Sequence, residues 1–240
     1  MKADDAAGQQ VYGCDVLFFS AHPDDAEFAA GGTLIKLAKK YEVVNVILTH
    51  GEAGTFGNPE VREKEAKAAS GFAGYTVEFL GFCDNFVEDN AENAHRLAQV
   101  IRKHRPKIIF APYHTNNSRH TDGISHPDHL NTGRLAVKAA RFAKFRNAKL
   151  EGEAHCTKAL FFFMVPAFTK PSFTIDVSES VADLPKLWAC HESQIRNLAK
   201  GTLEDKLIAM RKFLGLTAGC EYAEGFMSDA PLCLDIDSLF

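Results

Sequence analysis

Apolar and polar positions along this chain switch repeatedly between two patterns. Val16-Leu17-Phe18-Phe19 is a short unbroken apolar run, the mark of a strand buried on both faces. Residues 26–40 then read as a helix, and 43–48 as a second β-rich run. Residues 62–73 are helical, with Glu63, Lys64, Glu65 and Lys67 set among Ala66, Ala68 and Ala69. A third strand is expected at 75–80, an amphipathic helix at 91–104 with Leu97, Val100 and Ile101 on one face, and a fourth strand at 107–112 beyond Pro106. After a polar stretch at 113–127 come a helix at 130–145, strands at 159–165 and 172–177, and helices at 178–200 and 202–213. Residues 219–240 show no clear period. Strand and helix alternate at least four times, which predicts α/β: a single-domain Rossmann-like three-layer sandwich with a mostly parallel sheet. No repeat or linker interrupts it, so one domain is expected over 14–240, preceded by a loose arm at 1–13.

Composition narrows the function. With 240 residues, 46% hydrophobic and 24% charged, the chain has the make-up of an ordinary globular protein with ample core. A formal net charge of −4 gives no basis for nucleic acid or an anionic membrane as partner. No apolar run reaches 18 residues, and the polar start lacks the features of a signal peptide, so the expectation is a cytoplasmic protein. Cys14, Cys83, Cys156, Cys190, Cys220 and Cys233 include no C-x-x-C pair, and are expected to be buried free thiols. The first strand is not followed by G-x-G-x-x-G, which removes the usual sign of dinucleotide binding.

Two similar segments carry the candidate chemistry. His22-Pro23-Asp24-Asp25 lies between the first strand and its helix, and His126-Pro127-Asp128-His129 between the fourth strand and its helix. Parallel α/β sheets bind ligands at such strand exits. His22 and Asp25, three apart on a turn, can face one point, and a third metal ligand can come from His126-x-x-His129. Asp24 then offers a free carboxylate to accept a proton from water. If His129 is the ligand, His126 is left to stabilise charge or protonate a leaving amine, with Asp128 as its orienting partner. Simpler roles exist: Asp24 or Asp25 as helix N-cap, and the histidines as caps or core hydrogen-bonders. The loop at 113–127 is longer than most connections in a compact domain, which points to a functional loop.

Ala21-His22-Pro23-Asp24-Asp25-x-Glu27, Gly31-Gly32-Thr33 and His126-Pro127-Asp128-His129 resemble the PIG-L/LmbE-like N-acetylglucosaminyl deacetylases. So do Thr49-x-Gly51-Glu52-x-Gly54-Thr55, Arg62-x-x-Glu65-Ala66, Leu80-Gly81-x-x-Asp84 and Ile101-Arg102-x-x-x-Pro106. Lys170-Pro171-Ser172-Phe173-x-Ile175-Asp176 and Ala223-Glu224-Gly225-Phe226 are similar to the branch that contains bacillithiol-pathway deacetylases. The resemblance implies zinc, or another divalent metal, on His22, Asp25 and His129, with Asp24 as general base and His126 as the charge-stabilising residue. It further implies Glu52 and Arg62 in the substrate pocket, His191 near the oxyanion, a small-molecule amino-sugar substrate and a homo-oligomer. One position departs from the branch: Ser125 stands where an arginine often precedes the second motif, after an insert containing Arg119 and His120. This leaves a malate-type aglycone open. Three readings follow: an N-deacetylase of an N-acetylglucosamine compound, a same-fold metal hydrolase of another N-acyl substrate such as an oligosaccharide or antibiotic, and a non-catalytic metal-binding module.

Overall fold

The structure is a computed structural model that describes residues 13–115, 125–166, 169–195 and 202–232. Residues 1–12 of the arm expected at 1–13, together with Arg119, His120 and Cys233, lie outside them. Its centre is a parallel sheet of five strands: β1 (Val16–Ser20), β2 (Val43–Thr49), β3 (Thr76–Phe82), β4 (Ile108–Pro112) and β5 (Ala159–Phe163), in the spatial order β3-β2-β1-β4-β5. Helices α1 (Asp25–Ala38), α2 (Pro59–Ala73), α3 (Ala91–His104) and α4 (Pro127–Ala143) connect the successive strands. Every residue of β1 and β2 is buried. One face of the sheet sends Leu17, Phe19, Val46 and Leu48 against α3 and α4, and the other sends Val16 and Phe18 against α1. Phe18 stacks on Phe110 of β4 at 4.8 Å, locking the two central strands side by side. The strand order reverses direction between β1 and β4, so a crevice opens where the chain leaves their C-terminal ends.

The second half departs from the expected pattern. The helix expected at 178–200 is broken: a 3-10 turn at Val181–Asp183, then α5 (Leu184–Ala189) and α6 (Glu192–Ile195). Trp188 anchors α5, fully buried with its indole N–H donated to the Glu27 carbonyl at 2.8 Å. The next helix, α7 (Thr202–Ala218), runs longer than expected. A short antiparallel pair, β6 (Phe173–Asp176) with β7 (Ala223–Phe226), lies against the main sheet, joined to it through a Phe162–Met227 bridge. Strand β7 hid in the sequence because its second residue, Glu224, is buried where an apolar side chain would be expected.

Glu224 explains two motifs together. Helix α1 is broken at Ala30 (φ −137°, ψ 25°), so its second half starts afresh with unsatisfied N–H groups. The Glu224 carboxylate accepts from the amides of Gly32 at 2.9 Å and Thr33 at 2.8 Å, and Arg211 of α7 neutralises it at 2.7 Å. A Cβ on Gly32 would sit 2.7 Å from Val177, and one on Gly31 3.0 Å from Leu184. The glycine pair therefore admits the β6–α5 connection against a helix that Glu224 caps from within.

The thiols differ in part from expectation. All five described cysteines are free, but only Cys14 is buried, while Cys83 and Cys156 are exposed. Cys83 directly follows β3 and Cys156 lies in the connection between α4 and β5, both outside the core.

Candidate active site

The turn after β1 is tied before any ligand is considered. Asp25 Oδ2 accepts the backbone N–H groups of Ala21 (2.7 Å) and His22 (3.0 Å), which closes the turn and leaves Oδ1 pointing into the crevice. Asp24 occupies the N-cap position of α1 but makes no side-chain cap bond, so neither aspartate is spent as a helix cap. Helix α4, entering from β4, brings His129 alongside. His129 Nε2 stands 3.0 Å from His22 Nδ1 and 3.1 Å from Asp25 Oδ1, and His22 Nδ1 stands 3.8 Å from that oxygen. Ligands about 2.0–2.1 Å from a tetrahedral ion are about 3.3 Å apart, so these spacings suit one divalent ion shared by three donors. The three residues converge as a group able to hold a metal.

The charge inventory argues the same way. Asp24, Asp25, Asp84 and Asp128 crowd this buried crevice, and Arg62 is the cation paired among them. So many buried carboxylates require positive charge between them. Burial works against a charged His22, yet Asp128, Asp25 and Asp84 together hold its pKa well above the ordinary value. Burial likewise opposes a charged Asp25, and His129 and His22 overcome it, holding that carboxyl well below its usual range. The carboxylates thus favour positive charge in the crevice.

Asp84 is a site residue that sequence reasoning noted only as part of a motif. It leaves the end of β3 and meets His22 Nε2 at 3.1 Å, while Asp128 Oδ2 lies 3.4 Å from the same nitrogen. A carboxylate on Nε2 fixes the tautomer that frees Nδ1 as a ligand. Asp84 is itself held by the amides of Ala53 and Asn85, both at 2.9 Å. Burial would raise its pKa, but His22 and these amides bring it down to about 2.

The other expected site residues separate. Asp24 Oδ2 accepts from Arg62 at 3.2 Å, and 16% of its side chain remains exposed. Burial pushes Asp24 up to about 6, against the pull of the Arg62 guanidinium. His126 stands half-buried at the head of α4, 4.9 Å from the His22 ring in edge-on contact. Its Nδ1 accepts the Asp128 backbone N–H at 3.2 Å. Burial, with the His22 and His129 imidazoles beside it, lowers its pKa, so it stays neutral. The expected carboxylate contact from Asp128 to His126 is not made. That carboxylate instead accepts from the amides of Asn85 (2.8 Å) and Val87 (3.3 Å) and faces His22, joining the β3 exit to α4. Glu52 is likewise engaged, accepting from the amides of Asp84 (2.8 Å) and His50 (3.2 Å). His191 is fully buried with both ring nitrogens unpartnered among the described residues, and its closest ring contact is Phe28, 6.0 Å away. Burial holds it neutral, with the Asp24 charge pulling the other way. Glu27, the last acid of the first motif, points into the core, where it takes the Tyr75 hydroxyl and burial raises its pKa to about 7.

Two histidines and a carboxylate face one point, with a spare carboxylate beside them at the switch point of a parallel sheet, a donor set that could hold a metal ion. The family described as GlcNAc-PI de-N-acetylase, PIG-L, matches residues 17–140, more than half of the chain. A diacetylchitobiose deacetylase of Thermococcus kodakarensis is 28% identical over 225 residues, covering 88% of this chain and 81% of that protein. A probable N-acetyl-alpha-D-glucosaminyl L-malate deacetylase 2 of Bacillus cereus is 34% identical over 140 residues, 52% of this chain and 60% of its own length. The crystal structure of the conserved protein TT1542 from Thermus thermophilus superposes with a TM-score of 0.83 at 36% identity, covering 93% of this chain and 98% of that one. The chain belongs to the PIG-L family and is an N-deacetylase.

Proposed function

We propose that this protein is a zinc-dependent hydrolase that removes the acetyl group from an N-acetylglucosamine unit of a small amino-sugar molecule. The observation that carries the reading is the convergence of His22, Asp25 and His129 beside an aspartate, Asp24, that the donor set does not use. A divalent ion held by these three would polarise the acetamide carbonyl and acidify a water. Asp24, with a pKa of about 6, accepts the water's proton near neutral pH and returns it to the departing amine. His126 carries its proton on Nε2, because Nδ1 accepts the Asp128 amide, and donates that N–H to the oxygen that gains charge as the carbonyl is attacked. Burial of the surrounding carboxylates keeps these interactions in a low-dielectric pocket, where they are strongest.

For the substrate, a disaccharide such as diacetylchitobiose is placed ahead of a malate glycoside. The diacetylchitobiose deacetylase matches most of the chain, and Ser125 offers no cation to an acidic aglycone. Self-association belongs to the same reading: Met210, Phe213 and Leu216 of α7 are 41, 63 and 78% exposed, an apolar strip that suits contact with a second copy. Among the described residues, no helix is long and apolar enough to cross a membrane.

The test is acetate release from N-acetylated amino sugars with different aglycones, by protein loaded with zinc. Asp24→Asn should keep its metal and lose about 100- to 10,000-fold in turnover. Metal-loaded protein that releases no acetate from any of the panel would sink the proposal, and full activity in Asp24→Asn would remove Asp24 from the mechanism.

A further inference from the structure

The geometry points to Phe86 as a specificity-determining residue: an aromatic platform for the second ring of a disaccharide whose first ring sits at His22, Asp25 and His129. The inference deepens the deacetylase reading and rests on it for its kinetic test. Phe86 is 71% exposed, more than any other described phenylalanine or tyrosine. Single apolar side chains are common on protein surfaces. What sets this one apart is the backbone that carries it. The Asn85 amide donates to Asp128 Oδ2 at 2.8 Å and the Val87 amide to Asp128 Oδ1 at 3.3 Å, so one carboxylate brackets Phe86 from both sides. Asn131 of α4 donates to the Val87 carbonyl at 2.7 Å, and the Phe86 amide donates to the Cys83 carbonyl at 3.1 Å. Asn85 holds φ +66°, a left-handed conformation that asparagine tolerates better than most residues. Val87, 1% exposed, belongs to the core. The exit loop of β3 is thus a fixed support that leaves one aromatic ring outside.

That support stands at the site. Asp84, two residues before Phe86, meets His22 Nε2 at 3.1 Å, and Asp128 Oδ2, which holds Asn85, lies 3.4 Å from the same nitrogen. The turn of α4 that brackets Phe86 is headed by His126, the residue proposed to face the acetamide oxygen. Consecutive Cα atoms are about 3.8 Å apart, so Phe86 stands two such steps from a carboxylate of the site, within reach of a ring joined to the first sugar. The chemistry suits an uncharged ring. A pyranose carries C–H groups on its faces, and these pack on the electron-rich face of a phenyl ring without any hydrogen-bond partner. The loop itself offers no cation to an acidic aglycone: Asn85 and Val87 beside Phe86 are uncharged, and Glu88 and Asp89 follow.

The experiment compares zinc-loaded wild type, Phe86→Ala and Phe86→Tyr on N-acetylglucosamine and on N,N'-diacetylchitobiose, with urea unfolding as a check on the fold. Aromatic packing of this kind is worth about a two- to tenfold change in affinity. Phe86→Ala should therefore cut the preference for disaccharide over monosaccharide, read as the ratio of their kcat/KM values, by about five- to tenfold, with the loss in the disaccharide KM. Phe86→Tyr keeps the ring and should restore the preference. An unchanged ratio in Phe86→Ala would overturn the inference. So would a variant that keeps the ratio but sediments as a smaller species, which would make Phe86 a contact between copies. A readout independent of turnover uses Phe86→Trp in the Asp24→Asn background. The chain's one tryptophan, Trp188, is fully buried, so emission that changes beyond that of Asp24→Asn alone reports the added indole. N,N'-diacetylchitobiose should shift that emission to the blue at about a tenfold lower concentration than N-acetylglucosamine, and no shift, or equal responses to the two sugars, would refute the platform. Wild-type protein that deacetylates neither sugar would sink the functional proposal alone, and the fluorescence titration would still decide the role of Phe86.

Discussion

The sharpest prediction concerns Asp84, at the exit of β3. Asp84 accepts on three sides: from the amides of Ala53 and Asn85 and from His22 Nε2. Asp84→Asn replaces one oxygen by an NH2 group of the same size. If the amide nitrogen takes the position of Oδ1, it faces the N–H groups of His22 and Asn85. If it takes the position of Oδ2, it faces the N–H of Ala53. Either orientation sets donor against donor and leaves a buried N–H without its acceptor, which costs about 1–3 kcal/mol. The first orientation costs more in function, because His22 escapes by moving its proton to Nδ1, the nitrogen that faces His129 and Asp25. Losing such an outer partner weakens metal binding by about 10- to 100-fold, equivalent to about 1.4–2.7 kcal/mol. Asp128 Oδ2, at 3.4 Å from the same nitrogen, supplies partial support and places the expected loss toward the lower end.

The assay is a zinc titration against a chromophoric chelator, with urea unfolding of the metal-free protein run in parallel. The expected result for Asp84→Asn is a Kd for zinc raised about tenfold or more and a metal-free stability lowered by about 1–3 kcal/mol. Unchanged zinc affinity alongside lowered stability would refute the argument, because it would leave Asp84 as a loop fastener with no part in setting the His22 tautomer.

Three further outcomes follow from other parts of the molecule. Glu224→Ala strips Arg211 of its partner and leaves the Gly32 and Thr33 amides without an acceptor, so urea unfolding should show a loss of about 3–5 kcal/mol, and a loss under about 1 kcal/mol would discount the inner cap. His104 at 3.1 Å, with Lys103 at 2.9 Å, holds the Glu78 carboxyl down from 4.5 to about 2. The unfolded chain therefore binds the extra proton first, and the stability Glu78 contributes above about pH 4.5 is lost as pH falls toward about 2. Glu78→Gln should flatten the acid limb of stability in that window, and an unaltered slope in urea midpoints would count against the pairing. Burial, followed by the Asp15 and Glu78 charges, pushes the Cys14 thiol up to about 12, whereas Cys83 and Cys156 are exposed. Iodoacetamide near pH 8 should label the exposed pair in the native protein and spare Cys14, as read by peptide mass mapping.

How much of this could be read from the chain depends on how far each signal is local. The alternation of apolar runs and helical periods marks β1 to β5 and the helices between them because each strand buries its own side chains on both faces. The two His-Pro-Asp turns were legible for the same reason. Each sits at its strand's exit, and the sheet order places the exits of β1 and β4 side by side. Asp84 carried no such local mark. It reaches His22 only because β3 pairs outside β2, which carries its exit loop across to the β1 turn. The carboxylate of Asp128 was read toward its neighbour His126, but the first turn of α4 carries it to the amides of Asn85 and Val87. Glu52 was read toward the pocket, and its oxygens close the loops around Asp84.

The misreadings in the second half share one cause. Residues 178–200 carry a helical period, yet Trp188 must reach the Glu27 carbonyl and Ser193 must meet Glu65, and one straight helix is not what forms. Strand β7 shows no strand pattern because Glu224 is aimed at the broken middle of α1, more than 190 positions earlier. In each case a polar side chain serves a distant backbone group, and burial replaces the apolar pattern with a single well-partnered polar contact. The Gly31-Gly32-Thr33 and Ala223-Glu224-Gly225-Phe226 motifs are therefore one structural device in two pieces. Its position fixes its value to the site: the helix that Glu224 caps from within is the one whose first residue is Asp25. Whatever holds α1 together at its middle also holds the Asp25 carboxylate at its start, beside His129.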